Sequence, residues 1–129
     1  MYRQIQVYDK HCDYQRILWR KKDNEPIKTY RLTTVTYGTV LASYLVTACL
    51  RKLSEIGQGQ YPNVAPLIAH DFYMDDFISG AATKKEAIEI RDGLIKLMAT
   101  AKLELGKWAS NDFVIIRDVV DKNDGLVDF

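Results

Sequence analysis

Along residues 67–78, Leu67, Ala69, Asp71 and Tyr73 alternate with Ile68, His70, Phe72 and Met74, and apolar character resumes at Phe77 and Ile78. A two-residue period suits a strand, whose successive side chains point to opposite faces. The pattern predicts a hairpin with Asp75 and Asp76 at its tip, since Asp tolerates the dihedrals of a tight turn. Residues 14–20 and 27–36 are also β-prone, and the polar stretch 21–26, with Asp23, Asn24 and Pro26, predicts a turn that joins them. Beyond Gly38, residues 39–54 lack Gly and Pro and are apolar at Leu41, Tyr44, Leu45, Ala48 and Leu53. They predict a buried helix, with Arg51 and Lys52 suited to its C-terminal end. Gly57, Gly59, Pro62 and Pro66 make residues 56–66 a loop.

After Gly80, Thr83-Lys84-Lys85-Glu86 fits a capping box, and Ala87, Ile90, Leu94, Leu97, Met98 and Ala101 follow helical spacing along one face. Gly93 inside this helix costs about 1 kcal/mol relative to Ala. Residues 103–109 read as a final strand, and residues 112–129 as an acidic, mobile tail. Residues 1–8 alternate only loosely, as if the chain began inside an element. The second half therefore reads helix, strand, strand, helix, strand. With one strand in front, that is the βαββαβ ferredoxin-like pattern of an α+β domain, here lacking its first strand and carrying an extra hairpin before the first helix. One domain over residues 1–111 is expected.

Composition changes this picture little. The 129 residues, 47% of them hydrophobic, suffice for one core, and the formal charge is +1. Two cysteines without Cys-x-x-Cys spacing, no signal-like N-terminus and no membrane-length apolar run predict a reduced, intracellular setting, cytoplasmic or nuclear. The hairpin of residues 14–31 interleaves Arg16, Arg20, Lys21, Lys22, Lys28 and Arg31 with Tyr14, Trp19 and Tyr30. That composition can track a phosphate backbone and stack on bases, and equally describes a solvated strand face. His11-Cys12-Asp13 lacks zinc spacing and His70 stands alone.

Tyr73-Met74-Asp75-Asp76 between apolar runs resembles the polymerase hairpin of reverse transcriptases. Four further stretches extend the likeness: Met1-Tyr-Arg-Gln-Ile5, Asp13-Tyr-Gln-Arg-Ile-Leu-Trp-Arg20, Tyr30-Arg-Leu-Thr-Thr-Val-Thr-Tyr-Gly38 and Lys107-Trp-Ala-Ser-Asn111. Together they resemble the reverse transcriptase of Pao/BEL-type retrotransposons over residues 1–111. The resemblance implies a partial polymerase palm and RNA-directed DNA polymerase chemistry. In that chemistry two magnesium ions, or manganese in their place, align a primer hydroxyl with a deoxynucleoside triphosphate on an RNA or DNA template. Asp75 and Asp76 would be the catalytic metal ligands and Tyr2 the aromatic gate against a ribose 2′-hydroxyl. Tyr37 and Gly38 would stand at the start of the template- and nucleotide-contacting helix, Tyr73 and Met74 beside the acids, and Lys107 near the triphosphate. Arg16, Arg20, Lys21, Lys22 and Arg31 would contact nucleic acid.

The departures bear on activity. The family's third catalytic aspartate precedes the aromatic gate, a position before Met1. Leu41 and Ser43 stand where related elements show Ser and Pro, and Thr100-Ala101-Lys102 replaces a glycine-containing turn. The expectation is a fragment that, by itself, neither folds stably nor polymerises. The alternative is a non-catalytic ferredoxin-like module, a nucleic-acid binder or an inert retroelement remnant, in which the Asp-Asp turn is only a turn.

Overall fold

Among residues 1–120, which a computed structural model describes, four α-helices and two two-stranded antiparallel sheets make a mixed α+β structure. The chain divides into two units, Met1–Ala48 and Cys49–Phe129.

In the first unit, 3-10 turns at Tyr2–Gln4 and Asp9–Gln15 precede β1 (Arg16–Trp19), which pairs with β2 (Lys28–Arg31) in the register Arg16↔Arg31 to Trp19↔Lys28. The predicted hairpin forms with shorter strands. Every residue of both strands is exposed, and an isolated two-stranded ribbon is marginal in water. Its base is reinforced by Gln15, whose side chain donates to the carbonyls of Leu32 and Thr34 at 3.4 and 3.3 Å. Residues 5–7, expected only as loose alternation, bond to residues 33–35, through Val7 N–H to Thr33 O and Val35 N–H to Ile5 O, both at 2.9 Å.

Helix α1 (Ala42–Gly57) forms as predicted, on a different face. Ala42, Val46, Leu50, Leu53 and Ser54 are buried, whereas Leu41, Tyr44 and Leu45 are exposed. The segment is amphipathic, with Ala42, Val46, Leu50 and Leu53 at helical spacing, so its period marks this face, and the expected set of Leu41, Tyr44 and Leu45 lies off it. A specific bond helps choose it: buried Ser54 donates to the carbonyl of Ala65 at 2.6 Å. The basic end is also displaced, because α1 runs past Arg51 and Lys52 to Gly57.

In the second unit, the predicted strand over residues 67–74 is overturned. Helix α2 (Ala65–His70) occupies its first half, with Pro66 in the first turn, where the missing N–H breaks no helical bond. Ala65 and Ile68, a helical three apart, are both buried. Only β3 (Phe72–Tyr73) and β4 (Asp76–Phe77) remain of the hairpin. Helix α3 (Lys84–Thr100) starts on the predicted cap: Thr83 Oγ1 accepts from the Glu86 N–H at 3.2 Å, and Glu86 accepts from the Ala82 N–H at 3.0 Å. Leu94, Leu97 and Met98 are buried. Gly93 is explained by Val64, whose Cγ2 would lie 2.7 Å from an added Cβ.

The predicted final strand is absent, since residues 103–110 have no regular structure and find no strand among the described residues to pair with. In place of the expected tail start, Asp112 caps a short helix α4 (Phe113–Ile116), and Ile116 is buried. The rest of the acidic tail, residues 121–129, lies outside the described residues. No described helix is long and apolar enough to cross a membrane.

The end of α3 gives a test. Leu103 N–H reaches Met98 O at 3.1 Å and Lys102 N–H reaches Ala99 O at 2.9 Å, the Schellman pattern, with Lys102 at φ 56°. A side chain is strained there, so Lys102→Gly is expected to stabilise the chain by about 1 kcal/mol in chemical denaturation. An unchanged or lower stability would contradict the strain.

Candidate functional site

The β3–β4 hairpin pairs Phe72 with Phe77 and Tyr73 with Asp76. The turn is therefore Met74-Asp75, one residue earlier than the predicted tip, and Asp76 belongs to β4. A non-glycine residue rarely enters the left-handed region, yet Met74 has φ 57°. Such strain persists where surrounding structure over-determines it. Here the Phe72 and Phe77 rings, 5.2 Å apart, and the Ile78 N–H bond to Asp71 O at 2.9 Å close the hairpin base. Tyr73, Met74, Asp75 and Asp76 are all exposed, so both carboxylates are available to a ligand.

Asp75 and Asp76 line one end of an open cleft of about 650 Å³, and Lys107 and Trp108 line the same cleft. Lys107, like Met74, has a left-handed φ, 56°. The structure thus brings three of the sequence-derived site residues to one cavity. It adds Lys84, Arg91, Trp108 and Asp112, which sequence reasoning did not single out as site residues, because only the fold places α3 and residues 105–112 around the hairpin. Lys84 forms an ion pair with Asp112, and the Asp112 carboxylate also accepts from the Val114 N–H at 3.0 Å. The hydrogen bond from Lys84, then that from Val114, holds the Asp112 carboxyl below its ordinary value. Two adjacent carboxylates are hard oxygen ligands of the kind magnesium takes alongside substrate phosphates. Among the described residues no group of three or more His, Cys, Asp or Glu side chains is arranged to hold a metal.

In the first unit the structure brings Tyr2 and Tyr37 together, their rings stacked at 4.6 Å, and the Tyr2 hydroxyl lies 3.2 Å from Ser43 Oγ. Tyr2 is only 5% exposed, so Tyr37 presents the accessible ring of the pair. Gly38 follows with φ 82°, a conformation that suits glycine. The basic ribbon is less uniformly basic than its composition. Arg16 pairs with Asp13 and Arg31 with Asp9, both at 2.9 Å, and Arg20 approaches Asp23 at 3.6 Å. Lys21 and Lys22 are exposed with no ion pair among the described residues. Cys12 is buried with its thiol toward the Val7 and Tyr8 carbonyls, an arrangement that does not present it to a metal.

The chain matches no protein-family profile, no curated protein and no solved structure.

The Lys84–Asp112 pair predicts a pH dependence. A carboxyl held below its ordinary 3.8 contributes stability that is full above that value and lost as pH falls through the lowered folded value. A carbon-13 titration of Asp112 should therefore show a midpoint below 3.8, and Lys84→Ala should raise it. A midpoint indifferent to that substitution would refute the pairing.

Proposed function

We propose that this chain is a region of a reverse transcriptase palm of the Pao/BEL type, and that its Asp75 and Asp76 are metal ligands of nucleotidyl transfer. The observation that carries the reading is the Met74-Asp75 turn. A left-handed methionine at a two-residue turn exposes both acids on a cleft that Lys107 also lines. A turn needing only solubility would take glycine or asparagine at that φ. The ferredoxin-like palm topology belongs to the same proposal. The chain order α1, β3, β4, α3, with α2 inserted, is compatible with its central αββα run.

In this reading Asp75 and Asp76 hold magnesium, which supplies charge neutralisation at the attacking and leaving oxygens. Lys107 faces the polyanionic substrate as a point charge. Two adjacent carboxylates repel one another, so magnesium binds weakly until a third ligand joins them. The family's third aspartate falls upstream of Tyr2. Manganese titration followed by water-proton relaxation is expected to show weak binding that Asp75→Asn and Asp76→Asn each abolish. In a polypeptide that also carries the upstream aspartate, Asp75→Asn is expected to abolish template-directed nucleotide addition. Metal binding or extension that survives both substitutions would overturn the reading.

The ribbon of β1 and β2 is proposed to contribute nucleic-acid affinity, and the ion pairs rank its cations. Arg16 and Arg31 are already partnered by acids, whereas Lys21 and Lys22 are free to displace counterions from phosphates. Replacing Lys21 and Lys22 with Ala should therefore weaken binding to a primer-template duplex at low salt more than replacing Arg16 and Arg31. The reverse order, or equal affinities throughout, would exclude this role.

A further inference from the structure

Residues 105–112 line the cleft that contains Asp75 and Asp76, yet residues 103–110 have no secondary structure of their own. A segment without a hydrogen-bonded ladder depends on its ends as well as on its half-buried side chains, here Leu105 and Trp108. The upstream end is fixed by the Schellman turn and by Leu103, which is 4% exposed. The downstream end is gripped by two cations of α3 placed two helical turns apart and therefore on one face. Arg91 donates from Nη1 to the Ile115 carbonyl and pairs with Asp92 through Nη2 at 2.6 Å. Lys84 pairs with Asp112, whose backbone N–H bonds to Ser110 Oγ at 3.1 Å. The Arg91 side chain is only 8% exposed. Burying a guanidinium is costly unless its donors are satisfied, so the Ile115 carbonyl is a required partner and ties residue 115 to α3.

We propose that Lys84 and Arg91 are positioning residues that clamp residues 112–115 to α3 and so hold the strap 104–111, with Lys107 and Trp108, in the wall of the Asp75–Asp76 cleft. The inference goes beyond the proposed chemistry, since the clamp acts whatever the cleft binds. It assigns a purpose to a buried cation that the polymerase reading does not use. It also gives α4 a role beyond the burial of Ile116, since Phe113 and Val114 are exposed and its capping residue is the acid that Lys84 holds.

The test follows the strap directly in the whole chain. Trp19→Phe leaves Trp108 as the single indole of the two in the sequence. In that background, acrylamide quenching reports the strap, and residue-resolved amide exchange reports the hydrogen-bonded segments, residues 112–117 among them. Arg91→Ala and Lys84→Ala are each expected to speed exchange of the hydrogen-bonded amides of residues 112–117 by about tenfold and to increase Trp108 quenching, with β3, β4 and α2 unchanged. Lys84→Arg, which keeps the ion pair, should restore both readouts, and Arg91→Lys, which keeps one donor, should restore them in part. Unchanged exchange and quenching in the alanine variants would overturn the proposal. So would a uniform rise throughout residues 49–120 that Lys84→Arg does not reverse. Should Arg91→Ala fail to fold, Lys84→Ala decides alone, since that side chain is 67% exposed. Neither readout involves metal, nucleotide or nucleic acid, so failure of the polymerase reading and failure of the clamp are separate results.

Discussion

The second unit depends on the close approach of α3 to its neighbours. Leu94, Leu97 and Met98 are nearly inaccessible, and burying each contributes roughly 1.5–3 kcal/mol. That approach is possible because two of the facing positions have no side chain. A Cβ at Gly57 would lie 2.6 Å from Leu97 Cδ2, and one at Gly93 would lie 2.7 Å from Val64 Cγ2. The helix-propensity cost of Gly93 is offset by the contact it permits. With α3 seated, its N-terminal half presents Lys84 and Arg91 to the cleft, and its C-terminal turn aims residues 103–110 along it.

Strain concentrates around that cleft. Met74 and Lys107, two of the three described non-glycine residues with positive φ, both belong to its surroundings, one in the turn beside the acids and the other in the wall. Left-handed backbone costs a side-chain-bearing residue of the order of 1–2 kcal/mol. Both strained residues border the cavity at which the metal chemistry is proposed.

The first unit is organised differently. Its strands are exposed throughout, and its ion pairs are solvent-facing, each worth about 0–1 kcal/mol. What holds it is backbone pairing of residues 5–7 with residues 33–35, the Tyr2–Tyr37 stack and the buried Cys12 and Val35. The acids that neutralise Arg16 and Arg31 come from the 3-10 turn at Asp9–Gln15, so the ribbon's free charge is concentrated toward its tip.

Wherever the determining interactions are local, the sequence alone determined the outcome. The Thr83-to-Glu86 cap, the α1 and α3 helices, the first hairpin and the turn that carries the exposed acid pair all follow from residues a few positions apart. Tertiary structure decided what short-range pattern leaves degenerate. Residues 67–70 fit both a strand and a helix, and burial of Ala65 and Ile68 with Pro66 in the first turn selected the helix. Residues 103–109 have strand composition, but a strand exists only beside a partner, and among the described residues none is there. The cleft itself, which gathers residues 75, 84, 91, 107 and 112, is a property of how α3 packs, and no spacing along the chain encodes it.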